Sequence, residues 1–143
     1  MQRISAYAAL VVSAIATVLI ADRPAVADSG VAIKKVIETS KAADGAAIEY
    51  PKEGQAILSS IEVTMQPGAK STHHLHRVPV FVYVIQGRVA FENEGGKRTE
   101  LAAGQGFVEP VNTPHYAEAI GTEPVRFVVV FIGAEKLENI VEQ

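Results

Sequence analysis

Histidine is the residue type in this chain whose spacing most directly suggests chemistry. His74 and His76 are separated by one residue, and His115 follows about forty residues later, also at the start of a predicted strand. Because side chains alternate between the two faces of a strand, the first two imidazoles point to one side and His73 points to the other. Taken alone, such a pair is more often two exposed or hydrogen-bonded histidines than a metal site. His74, His76 and His115 together predict a site for one divalent metal ion.

The elements that must position these histidines are short strands. From Gln55 onward, runs rich in Val, Ile, Phe and Thr alternate with Gly, Pro and Asn, at a spacing of about ten residues that is typical of an all-β sandwich or barrel. The predicted strands are Ala56 to Met65, His73 to His76, Val80 to Gln86, Arg88 to Asn93, Arg98 to Leu101, Gly106 to Glu109, His115 to Ala119 and Val125 to Ile132. Only Ala134 to Val141 has helical spacing, which predicts a short C-terminal helix.

One predicted strand is apolar along nearly its whole length. The run from Val80 to Ile85 reads VFVYVI, so both of its faces should be buried. One face would line the barrel, and the other needs a cover from the N-terminal arm, a second sheet or a partner subunit. We expect a homodimer.

The first 27 residues have the pattern of a secretory signal peptide. Arg3 precedes an uncharged run from Ile4 to Ala21, and Ala25-Val26-Ala27 before Asp28 forms a small-x-small cleavage signature. The alternative is an uncleaved membrane anchor, because the run approaches the length that spans a bilayer. Either way the domain is expected to be exported, to the periplasm or the exterior, and after cleavage no stable membrane insertion is expected.

Composition limits the remaining possibilities. The chain of 143 residues has room for one domain, and we expect a signal peptide at 1–27, an N-terminal arm at 28–54 and a β-barrel domain at 55–143. The formal charge is −3 and no basic stretch is present, so no nucleic-acid partner is expected. With no cysteine, any metal must bind nitrogen and oxygen ligands.

Two motifs around the histidines resemble those of the cupin family. The first cupin motif has a glycine, five residues, HxH, three or four residues, a glutamate, six residues and a glycine. The corresponding stretch here is Gly68, AKSTH, His74-Leu75-His76, RVP, Val80, FVYVIQ and Gly87. In the second motif the corresponding residues are Gly104, QGFVE, Pro110, Asn112, His115 and Ala119. The resemblance, most of all to small secreted cupins that stand alone, implies a double-stranded β-helix or jelly-roll barrel that holds a metal on the three histidines.

Two positions depart from the family pattern. The glutamate of the first motif, normally a metal ligand, is Val80, and the final asparagine of the second is Ala119. Three neutral imidazoles can still hold a divalent ion with open positions, but they leave its +2 charge uncompensated. Glu109 is a candidate replacement, because strand alternation places it on the same side as Phe107. The alternative is that Val108 faces inward and Glu109 is solvated.

The sequence indicates two main classes of function. The cupin resemblance implies a mononuclear metal enzyme with dioxygenase-like chemistry on a small organic substrate, using iron, manganese, nickel, copper or zinc. The alternative is a non-catalytic module that binds a metal or a small ligand in the periplasm. A metal-independent epimerase is a weaker third possibility, because no matching acid–base pair is evident.

Overall fold

The computed structural model describes residues 30–143. In this part of the chain the regular structure consists of nine β-strands. Residues 35–143 form one unit, which contains all nine of these strands. The strands are β1 Ala56–Met65, β2 His74–Leu75, β3 Val80–Gln86, β4 Arg88–Asn93, β5 Arg98–Ala102, β6 Gly106–Glu109, β7 His115–Ile120, β8 Val125–Ala134 and β9 Val141–Glu142. The all-β prediction is confirmed, and β1, β3, β4 and β6 have the predicted bounds.

Two antiparallel sheets face each other across the core. One has four strands in the order β1-β8-β3-β6, and the other has five in the order β5-β4-β7-β2-β9. Their order in space differs from their order in the chain, as expected for the predicted jelly roll. The core lies between the sheets because each strand turns alternate side chains inward, as β8 does with Val125, Phe127, Val129 and Phe131.

The apolar strand β3 is less completely covered than its sequence suggests. Val80, Val82 and Val84 on its inner face are fully buried, whereas Phe81 and Tyr83 on the outer face are partly exposed. The N-terminal arm provides some cover, since residues 35–37 border a shallow depression together with Phe81 and Tyr83. The predicted homodimer stays a prediction.

The prediction of a C-terminal helix is wrong. Strand β8 continues to Ala134, a turn follows, and Val141 and Glu142 then pair as β9 with Leu75 and His74 of β2. A helix of eight residues gains little from local hydrogen bonds alone. Here the open edge of β2 offers backbone partners instead, and β-branched Ile140 and Val141 suit an extended chain.

The tight connection between β3 and β4 provides a test of this packing. Gly87 has a φ of 74°, and a Cβ atom there would lie 2.7 Å from the carbonyl oxygen of Pro124. Gly96 has the same φ of 74° but no heavy atom within 4 Å of that position. We expect Gly96→Ala to cost about 1 kcal/mol, from the left-handed backbone alone. Gly87→Ala should cost a further ~1–3 kcal/mol, because the new methyl group meets backbone atoms. Urea unfolding measures both changes, and equal losses would contradict the packing described.

Candidate metal centre

Three histidines meet on the inner side of the five-stranded sheet. His74 of β2 and His115 of β7 are directly opposite each other on paired antiparallel strands, so their side chains share a face. His76 follows β2 by one residue and joins them. Ring centroids are 5.0 Å apart for His74 and His76, 4.7 Å for His74 and His115, and 5.1 Å for His76 and His115. The three residues each offer a ligand nitrogen, and these nitrogens lie within 4.8 Å of one another.

Each of these imidazoles is oriented by the backbone. The Nδ1 atoms lie 2.9 Å from the carbonyl oxygen of Thr72 for His74, 2.7 Å from that of Asn139 for His76, and 2.8 Å from that of Thr113 for His115. A carbonyl oxygen only accepts, so each Nδ1 carries the hydrogen and donates it. In the neutral ring this leaves the lone pair on Nε2. That is the form in which histidine binds a metal through Nε2, with a backbone carbonyl fixing its orientation.

Glu109 lies against two of the histidines. Its side chain is buried at the end of β6, with Oε2 2.9 Å from Nε2 of His76 and Oε1 3.6 Å from Nε2 of His115. Neither Oε2 of Glu109 nor Nε2 of His115 has a hydrogen-bond partner, although both atoms are buried. Buried polar atoms are rarely left without partners, because their desolvation is costly. A divalent cation between them would satisfy both, so this donor set fits a transition-metal ion.

Electrostatics favours an ionised carboxylate in this position. Burial alone would raise the pKa of Glu109, but His115 and His76 outweigh it and hold that pKa well below its usual range. In the same way, burial acts to lower the pKa of His115, and the nearby carboxylate of Glu109 raises it overall. Burial lowers the pKa of His74. Glu109 is therefore anionic near neutral pH, which is the form that binds a cation.

Glu109 faces inward, next to Val80, the position at which the family motif has a glutamate. These two residues are direct partners in the pairing of β3 with β6, and both are buried. Since opposite residues on antiparallel strands point to the same face, the carboxylate enters the site from the position beside the one that the motif glutamate would occupy. Val108 instead lies on the outer side, partly exposed. Of the two orientations that the sequence left open, the structure has the inward one.

A residue that the sequence did not indicate takes part in the site. Asn139 accepts the hydrogen bond from His76 through its backbone oxygen, and its side-chain Nδ2 donates to Oγ of Ser59 at 2.9 Å. The C-terminal segment thus holds one of the three imidazoles. The incorrect prediction of a terminal helix left no role for Asn139. The available signal for an extended segment was the β-branched pair Ile140 and Val141, which follows it.

A cavity of about 180 Å³ opens beside the cluster. Its lining includes His74, His76 and Glu109, together with mainly apolar side chains. One of these, Phe131, packs against the imidazole of His76 with the ring centroids 5.6 Å apart. The site therefore has room for a small molecule next to His74 and His76.

The fold and the histidine cluster are those of a cupin domain. A family model described as "Cupin domain" matches residues 61–131, which span the strands that carry all three histidines and Glu109. The motif resemblance noted in the sequence is thereby confirmed, and the chain carries a domain of the cupin superfamily. No curated protein matches the sequence.

Solved structures support the same fold. A cupin-like protein from Thermotoga maritima aligns with a TM-score of 0.55 at 20% identity, covering 60% of this chain and 64% of that one. The DMSP lyase DddQ from Ruegeria pomeroyi gives 0.52 at 22%, covering 60% and 43%. The formate complex of Lactobacillus farciminis oxalate decarboxylase gives 0.51 at 28%, covering 62% and 27%. This chain thus spans less than half the length of the lyase and of the decarboxylase.

The histidine cluster leads to a direct prediction. Changing His74 or His115 to Ala removes an imidazole from the shared face, so the variants should lose most of the single metal ion per chain. His73→Ala is the matched control, because that ring packs on Tyr116 with centroids 4.9 Å apart and takes no part in the cluster. Elemental analysis after dialysis against excess metal measures the content. Equal content in wild type and in a His74→Ala, His115→Ala double variant would contradict the assignment.

Proposed function

We propose that this protein is an exported cupin that binds one divalent transition-metal ion through His74, His76, His115 and Glu109 and acts on a small organic substrate by dioxygenase-like chemistry. The observation that carries the proposal is the buried carboxylate of Glu109, whose unpartnered Oε2 lies 2.9 Å from Nε2 of His76 and whose Oε1 lies 3.6 Å from the unpartnered Nε2 of His115. The ion itself would be iron, manganese, nickel, copper or zinc, all of which accept imidazole and carboxylate ligands.

Each protein group has a distinct task in this proposal. The three imidazoles present Nε2 lone pairs held by Nδ1 hydrogen bonds, so little reorganisation is needed on binding. Glu109 reduces the charge of the occupied site from +2 to +1, and its burial strengthens that attraction. Phe131 fixes the ring of His76 from the cavity side. When bound, the metal supplies Lewis acidity and, for the redox-active ions, electron transfer.

The cavity favours an enzyme over a module that stores metal. A storage site gains nothing from an apolar cavity beside its ligands, whereas a substrate needs such a space to reach them. A carboxylate missing at Val80 would weaken the site and favour simple binding, but Glu109 occupies the neighbouring position. If the metal-loaded protein converts no substrate, the alternative of a module that only binds a metal or a small ligand is the better account.

The role of Glu109 as a metal ligand can be tested by moving its carboxylate to position 80. Glu109→Gln keeps the shape but removes the charge, so we expect metal affinity to fall at least about tenfold, which is about 1.4 kcal/mol. The double variant Val80→Glu, Glu109→Val moves the carboxylate to the directly opposite residue and should regain most of that affinity. Affinity is measured by competition with a chelator.

Glu118→Gln is the matched control for the swap. Its carboxylate lies on the outer side of the five-stranded sheet and pairs with Arg98 and Lys70. We expect its metal affinity to equal that of the wild type. If Glu109→Gln also kept wild-type affinity, the carboxylate would not be a ligand and the proposal of a four-ligand site would fail.

Export rests on the sequence, because the signal peptide predicted at 1–27 lies outside the described residues. Within residues 30–143, no helix has the length and hydropathy needed to cross a membrane. We propose that the mature protein begins at Asp28 and resides in the periplasm or the exterior. N-terminal sequencing of protein from the periplasmic fraction of a bacterial host should give DSGVA, and Ala27→Arg should block cleavage. A full-length chain in the membrane fraction would instead indicate an uncleaved anchor.

A further inference from the structure

We infer that the cavity lined by His74 and His76 takes a small molecule with an apolar body and a single oxygen-bearing head group, and that it disfavours molecules with a second carboxylate. This inference rests on the proposed metal centre, which would receive the head group. It goes further by assigning a substrate class from the walls of the cavity.

The buried part of the cavity is aromatic. Phe91, Phe127 and Phe131 are among its lining residues and are each less than a tenth exposed. Phe91 and Phe127 pack edge to face, with ring centroids 5.9 Å apart, so this wall is already ordered before any ligand enters. A ligand gains affinity here by burying apolar surface, at roughly 25 cal/mol per Å².

The charges in the wall are acidic. Among the described residues that line the cavity, none is a lysine or an arginine, whereas Glu109 and Glu142 are both present. With a divalent ion bound, Glu109 reduces its charge from +2 to +1. A head group carrying one negative charge can still bind at the ion, but a second carboxylate in the same molecule would meet apolar walls and have no cationic partner.

The two hydroxyl groups of the wall are already engaged within the protein. The hydroxyl of Ser71 accepts from the backbone nitrogen of Ala117 and donates to the backbone oxygen of Thr72. The hydroxyl of Thr72 donates to Glu142. Neither hydroxyl has a hydrogen to offer a ligand without breaking one of these bonds. A distant polar group on the ligand would therefore lose its hydration without replacement.

The opening of the cavity is apolar as well. Ile61 of β1 and Ile140 of the C-terminal segment line it and are 43% and 44% exposed. Ile57 provides a comparison position. It lies four residues before Ile61 on the same face of β1, is 47% exposed, and does not line the cavity.

The test uses the cobalt(II)-loaded protein with two rigid probes, benzoate and terephthalate. These differ only in the carboxylate at the far end of the ring, which the inference places against the apolar lining. We expect benzoate to bind at least about tenfold more tightly, as measured by calorimetry and by the cobalt absorption spectrum. Equal affinities, or tighter binding of terephthalate, would overturn the inference while leaving the metal centre intact. Failure to bind cobalt would overturn the metal centre and the inference with it.

A variant at the opening should reverse the selectivity. Ile61→Lys adds a cation to the cavity wall, so terephthalate should bind at least about fivefold more tightly than to wild type, with benzoate little changed. Ile57→Lys adds the same charge to the same face of the same strand outside the cavity, and it should change neither affinity. An identical response of the two lysine variants would show that net charge, not the cavity wall, controls binding, and would contradict the inference.

Discussion

The carboxylate of Glu109 is buried where water cannot stabilise it, so it needs a proton or a cation close by. It lies 2.9 Å from Nε2 of His76 and 3.6 Å from Nε2 of His115. Leaving such an anion unpaired would cost several kcal/mol. Much of the structure can be understood from this constraint, because β6 must bring the carboxylate, and β2 and β7 the imidazoles, to one point between the two sheets.

The strands that meet this requirement are short and depend on their neighbours. Strand β2 has only two residues, and it is held between β7 on one side and β9 on the other. Its position therefore depends on the C-terminal segment, which also supplies the backbone oxygen that orients His76. A chain shortened before Asn139 would retain all three histidines but lose that restraint. The C-terminal segment therefore helps to hold one of the three imidazoles in place.

Much of this architecture could be predicted because it follows from strand periodicity. The one-residue spacing of His74 and His76 sets a common face whatever the rest of the chain does, and His115 follows from the second motif. The orientation of Glu109 could not be decided, because a strand of four residues such as β6 has too few alternations to show which side is buried. Its pairing with Val80 is a tertiary contact between distant segments, which only the structure provides.

The C-terminal prediction failed for a related reason. Leu137, Ile140 and Val141 have helical spacing, but the spacing of three residues cannot show that an unpaired strand edge lies nearby. That edge belongs to β2, more than sixty residues earlier, and pairing with it decides the conformation. The role of Asn139 was missed with it, since a backbone acceptor leaves no trace in the residue type.

The most direct test of the metal centre is anomalous diffraction from crystals of the metal-loaded protein, collected on both sides of the absorption edge of the metal. We predict one strong peak per chain, bound by Nε2 of His74, His76 and His115 and by a carboxylate oxygen of Glu109, each about 2.0–2.2 Å from the ion. A peak outside this cluster, or a peak on the histidines with Glu109 turned away from it, would contradict the account.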